Sequence, residues 1–364
     1  MMGHDARGKK TERGQALIMF ALGLAVLLGF TAMAIDVGLL YEDRRHLQNT
    51  ADAAALAGVA ELPQNPSEAK AKAEEWILKH DLTLAQIKTI EVRSTLAAND
   101  TLYVEVGQEF GWLFARALGM TTSDVSAKAA ARVGSYAGGH DFLPWAMLQG
   151  ESACLAPNGD PLYGTSCVVK VGAGSAISGW YGALDADGTG GGANEYKGNI
   201  IDGEVDWLYC IEGDPAPACD GANTTIDVLD GNKVGPTDSA IIDRLTGEAQ
   251  CDANGNSVDD FWEVLTLNPA GSPTYLIACP DSPWLIIIPI VSYDSVPVQE
   301  VTIRGWTLAY LKGYYCVDGT GQNCSGGGHW EVELEIVDAA YSQISGFLGA
   351  YDPASGILLR RLVE

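Results

Sequence analysis

The chain has 364 residues, of which 47% are hydrophobic and 8% aromatic, so it is long enough for two or three domains and apolar enough to fold. Its 47 acidic residues against 22 basic ones give a net charge of −25. Because so acidic a surface repels phosphate groups, the composition argues against nucleic-acid binding and against broad contact with anionic lipid headgroups.

The first predicted element is a transmembrane helix over residues 16–36. No charged residue occurs from Ala16 to Ile35, and twenty helical residues reach about 30 Å, the thickness of a bilayer's hydrocarbon core. The tail of residues 1–15 precedes it. The basic side chains of that tail are Arg7, Lys9, Lys10 and Arg13. The positive-inside rule therefore predicts a cytoplasmic tail, with everything after Asp36 outside.

A cleaved secretory signal is the alternative interpretation of the same segment. Phe30-Thr-Ala-Met-Ala34 has the small side chains of a cleavage site. The apolar region of such signals is usually shorter, about 7 to 15 residues. The length of this segment therefore favours a retained anchor.

A helical extension is predicted over residues 37–62. Small and apolar side chains recur there every three or four residues, which places them on one helix face. They are Leu40, Leu47, Ala51, Ala54, Ala55, Gly58 and Leu62. Pro63 and Pro66 then end the pattern. This stripe either packs on the chain's own folded unit or receives a partner's helix, and the sequence leaves both readings open.

Short motifs surround these two helical segments. In chain order they are Gly14-x-Ala16, Asp36-x-Gly38-x-Leu40-Tyr41 and the Ala-rich run from Leu47 to Gly58. Together they resemble the N-terminal segment of the TadG-like family of Tad (Flp) pilus-assembly proteins. A weaker resemblance to the extracytoplasmic part of these proteins extends to HDFLPWAML, GNIIDGE, DGNKVGPTDSAIIDRL and LIIIPIV.

The resemblance implies a single-pass envelope protein of a tight-adherence pilus system. Its partners would be membrane lipid and other pilus-assembly proteins, the latter through the N-terminal helix, with a homo-oligomer left open. Related prepilin-like proteins are cut after a glycine and carry Glu at the fifth mature position. Cleavage between Gly14 and Gln15 would place Met19 there. Since methionine cannot pair with the new terminal amine inside lipid, we predict that this site is not cut.

Residues 63–138 are predicted to form a small α/β unit. Ser67 is the predicted N-cap of a helix that ends near Lys79. The strands IKTIEVRSTL and TLYVEVGQEF flank the turn AAND and predict a hairpin. A short helix in FGWLFARALG, ended by Gly119, and a strand in VSAKAAARVG follow. The apolar residues of this unit are interpreted as packing, with no catalytic side chain among them.

Residues 139–364 are predicted to form an acidic, β-rich domain, so the fold class expected for the whole chain is α+β. The apolar runs PWLIIIPIVSY, VTIRGWTLAYL and HWEVELEIVDA alternate with glycine-rich turns. The segment GTGGGANEYKG is interpreted as a surface loop, because the strand, helix and Lys-Ser/Thr of a phosphate-binding loop do not accompany its glycines.

The chain's cysteines are interpreted as disulfides. They are Cys154, Cys167, Cys210, Cys219, Cys251, Cys279, Cys316 and Cys324. An even number on the exported side of a membrane helix indicates an oxidising compartment. Pairing of sequence neighbours would stabilise the fold by about 2 to 4 kcal/mol per bridge. A structural zinc site is the alternative, which the lack of a C-x-x-C motif and the scattered histidines disfavour.

A calcium loop is predicted in CDANGNSVDDFWE, residues 251–263. Oxygen ligands at alternating positions, with a carboxylate at the twelfth, suit a hard cation. The predicted ligands are Asp252, Asn254, Asn256, the Val258 carbonyl, Asp260 and Glu263. Ser257 replaces the usual sixth-position glycine, so we expect weak affinity, with a Kd of about 10⁻⁴ to 10⁻³ M. The alternative is a solvated acidic turn.

A poorer second calcium candidate is DADGTGGG, with Asp185 and Asp187. No G-x-S-x-G, H-E-x-x-H or phosphate loop occurs, so we expect no enzyme. The function predicted is a membrane-anchored, extracytoplasmic structural component of pilus assembly or surface adhesion. The alternatives are a secreted, calcium-stabilised adhesive module and, less favoured, a carbohydrate-active hydrolase with paired carboxylates.

Overall fold

A computed structural model gives the fold of this chain. It describes residues 12–170, 177–188, 190, 192–229, 231, 233–246, 249–269, 274–317, 329–340, 346–352 and 354–363. Of the predicted basic residues, Arg7, Lys9 and Lys10 lie outside this described part. Gly14 and Gln15 lie on the first helix.

The described residues form long and short helices and two sheets. The α-helices are α1 Glu12–Val59, α2 Pro66–Lys79, α3 Ala193–Asp202, α4 Val234–Leu245 and α5 Phe261–Val264. The strands are β1 Ile87–Arg93, β2 Thr101–Gly111, β3 Thr122–Asp141, β4 Met147–Leu148, β5 Ser166–Lys170, β6 Leu184–Asp185, β7 Glu204–Cys210, β8 Thr225–Val228, β9 Leu265–Leu267, β10 Tyr275–Ile277, β11 Leu285–Ser292, β12 Glu300–Val317, β13 His329–Val337, β14 Ala339–Ala340, β15 Phe347–Leu348 and β16 Ile357–Leu362. The predicted α+β class is confirmed: a long apolar helix leads into a β-rich region with disulfides.

Helix α1 runs without a break through 48 residues. No residue of its most apolar 18-residue stretch is buried by the rest of the described chain. The later part behaves differently, because five of its small and apolar side chains are fully buried. They are Leu47, Ala51, Ala54, Ala55 and Val59. The stripe therefore packs on the chain's own sheet and on α2, and the partner-helix reading of this stripe is wrong.

The ends of α1 and α2 differ from the predicted ones. Helix α1 ends at Val59 rather than Leu62. Helix α2 begins at Pro66, whose missing N–H suits the first turn, and its N-cap is Asn65 without a side-chain hydrogen bond. Ser67 therefore lies inside the first turn instead of capping the helix.

The first unit consists of residues 37–133. Strands β1, β2 and β3 form an antiparallel meander, and α1 and α2 cover one face of it. The approach is close at Gly58, where a Cβ would lie 2.3 Å from Leu102 Cδ2 and 2.5 Å from the Ala69 carbonyl oxygen. The small residues of the stripe thus let helix and sheet meet without a gap.

The predicted hairpin is confirmed, and a buried carboxylate holds its turn. Asp100 accepts hydrogen bonds from the backbone N–H groups of Thr95, Leu96 and Ala97 at 2.8 to 2.9 Å. Burial alone would raise the pKa of Asp100, but these donors outweigh it and lower the pKa below 3.8. The charged form of Asp100 therefore stabilises the turn.

The second unit consists of residues 136–363. Its main sheet has the order β4-β11-β12-β13-β5, with β8 paired to β12 and β6 paired to β8. The three predicted apolar runs are β11, β12 and β13, as expected. Large aromatic side chains fill its core, and fully buried examples are Tyr136, Phe142, Trp145, Tyr196 and Trp306.

The two units share strands. Strand β3 extends for 20 residues from the first unit into the second, so the predicted domain boundary at 138/139 lies inside it. The C-terminal strand β16 returns to pair with β3, Leu362 opposite Ala131. The other sheet thus has the order β1-β2-β3-β16-β14-β10-β9, with β7 and β15 also on β3.

One predicted loop is partly helical. In GTGGGANEYKG, helix α3 starts at Ala193 with Gly192 as its N-cap. The Glu195 side chain accepts a hydrogen bond from the Gly192 N–H at 3.1 Å. The glycines before this cap predict a loop, so the start of the helix was not predicted from the sequence.

Candidate functional site at the end of the apolar helix

The apolar half of α1 presents large hydrophobic side chains all around its circumference. Between 41% and 70% of each is exposed. They are Leu17, Ile18, Met19, Phe20, Leu22, Leu24, Val26, Leu27, Leu28, Phe30, Met33, Ile35, Val37, Leu39 and Tyr41. A helix that is apolar on every face and unburied is typical of a segment that lies in an apolar surrounding, such as lipid.

A buried carboxylate lies near the C-terminal end of this apolar surface, with Val37, Leu39 and Tyr41 beyond it. Asp36 is 2% exposed. Its Oδ1 accepts a hydrogen bond from the Leu113 N–H at 3.0 Å. Its Oδ2 accepts bonds from the N–H groups of Phe114 at 3.0 Å and Ala115 at 2.8 Å. Three backbone donors thus compensate one carboxylate, which matters because an uncompensated charge beside hydrocarbon is costly.

The donors belong to the exit loop, residues 112–121, which connects β2 to β3. The Trp112 N–H donates to the Thr121 carbonyl at 3.2 Å and closes the loop. Inside it, residues 115–118 form a 3₁₀ turn, and Gly119 ends that turn at φ +89°. The predicted short helix is thus a single 3₁₀ turn, since Phe110 and Gly111 belong to β2, and its glycine stop is confirmed.

The interpretation of this segment as packing holds for Trp112, which packs against the first unit's core, and is wrong for four other apolar side chains. Leu113 is 58% exposed, Phe114 44%, Leu118 82% and Met120 47%. Their exposure was not predicted because apolar side chains ordinarily indicate a core. One sequence signal could have indicated this exposure. The segment FGWLFARALG, which overlaps the loop, carries only one charged residue, Arg116.

An open apolar groove of about 770 Å³ lies between the exit loop and α1. On the helix side it is lined from Leu28 to Val37, and on the loop side by Trp112, Phe114, Leu118 and others. The groove is therefore continuous with the exposed apolar surface of the helix.

The predicted calcium loop is closed by hydrogen bonds to its own carboxylates. The Asp252 carboxylate accepts bonds from the N–H groups of Gly255, Asn256 and Ser257 at 2.7 to 3.0 Å. Burial acts to raise the pKa of Asp252, but these backbone donors prevail and lower it. Ser257 takes a left-handed conformation with φ +62°, the geometry for which glycine is usual at this position.

The remaining predicted ligands lie around the same loop. Glu263 Oε1 accepts the N–H groups of Ala253 and Asn254 at 3.0 and 3.1 Å. Asn254 and Asn256 direct their amide NH₂ groups at Asp260, at 2.6 and 3.0 Å. The side chains of Asn254 and Asn256 thus point their N–H donors, and not their oxygens, at the Asp260 carboxylate.

Two further observations bear on whether this loop binds a metal ion. Asn256 Oδ1 accepts the Val258 N–H at 2.8 Å. Within the described ranges, no group of three His, Cys, Asp or Glu side chains is arranged to hold a metal ion. The loop's own backbone N–H groups donate to the Asp252 and Glu263 carboxylates, so calcium binding stays a prediction.

Asp259, not assigned a role from the sequence, anchors this loop to the core. It is fully buried, and its carboxylate accepts the Cys251 N–H at 2.7 Å and the Gln250 N–H at 3.1 Å. Its carbonyl accepts the Tyr310 hydroxyl at 2.8 Å. Asp259 and Asp260 are adjacent in the sequence. The sequence alone does not indicate which of the two side chains points into the core.

The second calcium candidate contains a buried carboxylate. Asp185 is 7% exposed and accepts the Gly190 N–H at 3.0 Å. Burial, then a hydrogen bond with Asp187, raises its pKa to about 6. Cation binding by this pair likewise stays a prediction.

Three disulfides join sequence neighbours in the second unit. They are Cys154–Cys167, Cys210–Cys219 and Cys251–Cys279, with Cα–Cα distances of 5.7, 5.7 and 6.2 Å. The disulfide interpretation is confirmed for these six cysteines. The pairing of Cys316 with Cys324 is not tested, because Cys324 lies outside the described residues.

Residues 14–61 match a family model described as putative Flp pilus-assembly TadE/G-like. This match confirms the resemblance found in the N-terminal segment. It spans both the exposed and the buried part of α1 and ends before the sheets begin. Comparison with curated proteins and with solved structures finds no match. The weaker resemblance of the later segments therefore stays a prediction.

Proposed function

We propose that this protein is a membrane-anchored structural component of a Tad/Flp-type pilus-assembly or surface-adhesion system. The apolar half of α1 lies in the bilayer, and the second unit stands on the extracytoplasmic side. Its role is to position this acidic, disulfide-containing unit at a fixed place on the membrane. Its action is mechanical rather than catalytic.

One observation carries this proposal: the same helix is unburied and apolar at one end, and at the other end one of its faces is fully buried in a folded unit. A flexible signal or linker would not connect the two ends rigidly. Here the buried face belongs to the first unit's core, through Leu47, Ala51, Ala54, Ala55 and Val59. A force on the helix in the membrane, or a change in its position there, is thus transmitted to the sheets. The family match covers this same helix.

The proposed orientation rests on charge and on cysteine chemistry. The basic residues before the helix favour a cytoplasmic N-terminus. Three disulfides lie on the other side of the apolar segment, and disulfides persist in oxidising compartments outside the cytoplasm. Both features favour the same topology.

Partner proteins are expected at the apolar half of α1. The stripe on its later half is occupied by the chain's own sheet, so it offers no surface to another helix. The unburied half contains Gly23, around which a Cβ would meet nothing within 4 Å. We propose that pilus-assembly proteins in the same membrane contact this half around Gly23, before the groove beside residues 112–121 begins at Leu28.

Carbonate extraction combined with intact-mass measurement tests the anchor. We expect the protein to stay in the carbonate-resistant membrane fraction with its N-terminal segment uncut. A chain that begins at Gln15 would reject the uncut anchor, and a chain that begins at Ile35 and extracts into the soluble phase would favour the secreted adhesive module. A matched control is a variant with Leu24→Lys and Leu28→Lys, which should lose membrane retention because charge at the bilayer centre is unfavourable.

A further inference from the structure

The exit loop is held in a defined position beside the apolar half of α1. Three backbone N–H groups at its start bind the Asp36 carboxylate. Trp112 Nε1 donates to Ser123 Oγ at 2.7 Å, which fixes the loop to the start of β3. The loop is thus attached both to the helix and to the sheet, and its apolar side chains project from a rigid base.

We propose that the exit loop is a second membrane contact, which enters the same leaflet as the outer end of the apolar helix, with lipid acyl chains filling the groove between them. This proposal rests on the proposed function, because it needs α1 to be in the bilayer. Under this proposal the first unit contacts the membrane surface directly, instead of being separated from it by a length of exposed helix.

The direction of the loop supports this contact. Its anchoring point is Asp36, yet the groove it forms with the helix reaches back to Leu28. Eight helical residues correspond to about 12 Å along the axis. The hydrocarbon core is about 30 Å thick, so one leaflet is about 15 Å. The loop therefore runs alongside the segment that lies in lipid, within the depth of one leaflet.

The chemistry of the loop also fits lipid. Four large aliphatic or aromatic side chains of the loop are exposed, among them Leu118 at 82% and Leu113 at 58%. Arg116 is the single charged residue from Trp112 to Thr121, and a long arginine side chain can reach the headgroup layer while its stem lies in an apolar layer. Asp36 binds three of the loop's backbone N–H groups, and those of Ala117, Gly119 and Met120 donate to carbonyls within the loop, which lowers the cost of placing this segment in an apolar layer.

Lipid is the favoured occupant rather than a protein, because the groove continues without interruption into the helix surface that lipid covers. A protein partner would need to displace lipid from both surfaces. Polar groups able to pair with such a partner are scarce along the described lining, where Thr31 and Asp36 are the polar side chains from Leu28 to Val37, and Asp36 is already bound.

Photo-cross-linking of the full chain in lipid nanodiscs tests the proposal. Benzoylphenylalanine replaces one residue at a time: Leu118→benzoylphenylalanine in the loop, Leu27→benzoylphenylalanine in the apolar helix, and Leu267→benzoylphenylalanine as a control. Leu267 is 65% exposed in the second unit. We expect lipid adducts, identified by intact mass, at positions 118 and 27 and none at 267.

The outcomes separate this proposal from the proposed function. Lipid adducts at position 27 but not at 118, or adducts with another protein at 118, would overturn the loop's membrane contact and leave the anchor intact. The absence of lipid adducts at 27 would overturn the anchor and this proposal together. Should the 118 variant fail to fold, Leu113→benzoylphenylalanine reports on the same loop and carries the same expectation.

Discussion

The first unit packs small side chains of one helix against a meander, whereas the second unit packs aromatic side chains among its sheets and disulfides. Alanines and Gly58 let α1 approach β2 closely. In the second unit, Trp306 contacts Tyr136 and Phe142 edge to face, with ring centroids 5.5 and 5.0 Å apart. The first unit therefore depends on the helix that leads to the membrane, while the second unit has its own covalent reinforcement.

The largest expected effect tests the dependence of the first unit on α1. Leu47→Ala removes a fully buried side chain and should lower the free energy of unfolding by about 2 to 5 kcal/mol. Amide hydrogen exchange in detergent should then speed up in β2 and change little in β11.

The matched control for this variant is Leu56→Ala on the same helix. Leu56 is 39% exposed, so its truncation should change the stability by less than about 0.5 kcal/mol. Equal effects of the two variants would show that the buried stripe does not hold the first unit together.

The next effect tests the covalent reinforcement of the second unit. The double variant Cys210→Ala with Cys219→Ala opens a loop with a sequence separation of 9 residues and should destabilise the second unit by about 2 to 4 kcal/mol. Hydrogen exchange should increase in β7 and β8. The first unit is the internal control, since no cysteine lies between residues 37 and 133, and a parallel loss of protection there would mean that the units unfold as one.

A smaller effect, with a defined pH dependence, is expected at the hairpin turn. Asp100→Asn removes the charge and one of the two oxygens that accept three backbone N–H groups, and it should cost about 1 to 3 kcal/mol near neutral pH. Because the folded pKa of Asp100 is lowered, the stabilisation is present above the ordinary pKa and is lost as the pH falls through the lowered value.

Urea titrations of the wild type and the Asp100→Asn variant across acidic pH measure this difference. The two stabilities should converge at low pH. Asp124→Asn, at an exposed position on β3, is the control and should leave the stability unchanged. A difference in the free energy of unfolding between wild type and Asp100→Asn that is independent of pH would contradict the role of the charge.

The smallest expected effect concerns calcium in the second unit. Calorimetric titration should give weak binding, with a Kd of about 10⁻⁴ to 10⁻³ M, and Asp252→Ala and Glu263→Ala should each abolish the heat. Asp220→Ala, at an exposed position elsewhere in this unit, should leave it unchanged. If the wild type gives no heat, the loop is a structural turn closed by its own carboxylates.

Elements that depend on local patterns were predictable from the sequence. The spacing of Leu47, Ala51 and Ala55 specified the buried face of α1, and the apolar run before Asp36 specified its exposed part. The strand pattern around AAND gave the hairpin, because alternation and turn residues lie within one short segment.

Contacts between distant segments were not predictable in the same way. Asp36 and Leu113 are 77 residues apart, and their hydrogen bond exists because β2 returns the chain to the side of the helix. The pairing of β16 with β3 likewise joins the C-terminal segment to the first unit. Periodicity describes one element at a time, so it indicates neither the carboxylate's partners nor the exposure of Leu118.

The topology of the chain in spheroplasts tests the central claim most directly. Epitopes placed at the two termini of the full chain are probed with antibody before and after lysis. We expect the C-terminal epitope to be accessible on intact spheroplasts and the N-terminal epitope to be accessible only after lysis. A C-terminal epitope that requires lysis would place the second unit in the cytoplasm and overturn the proposed topology.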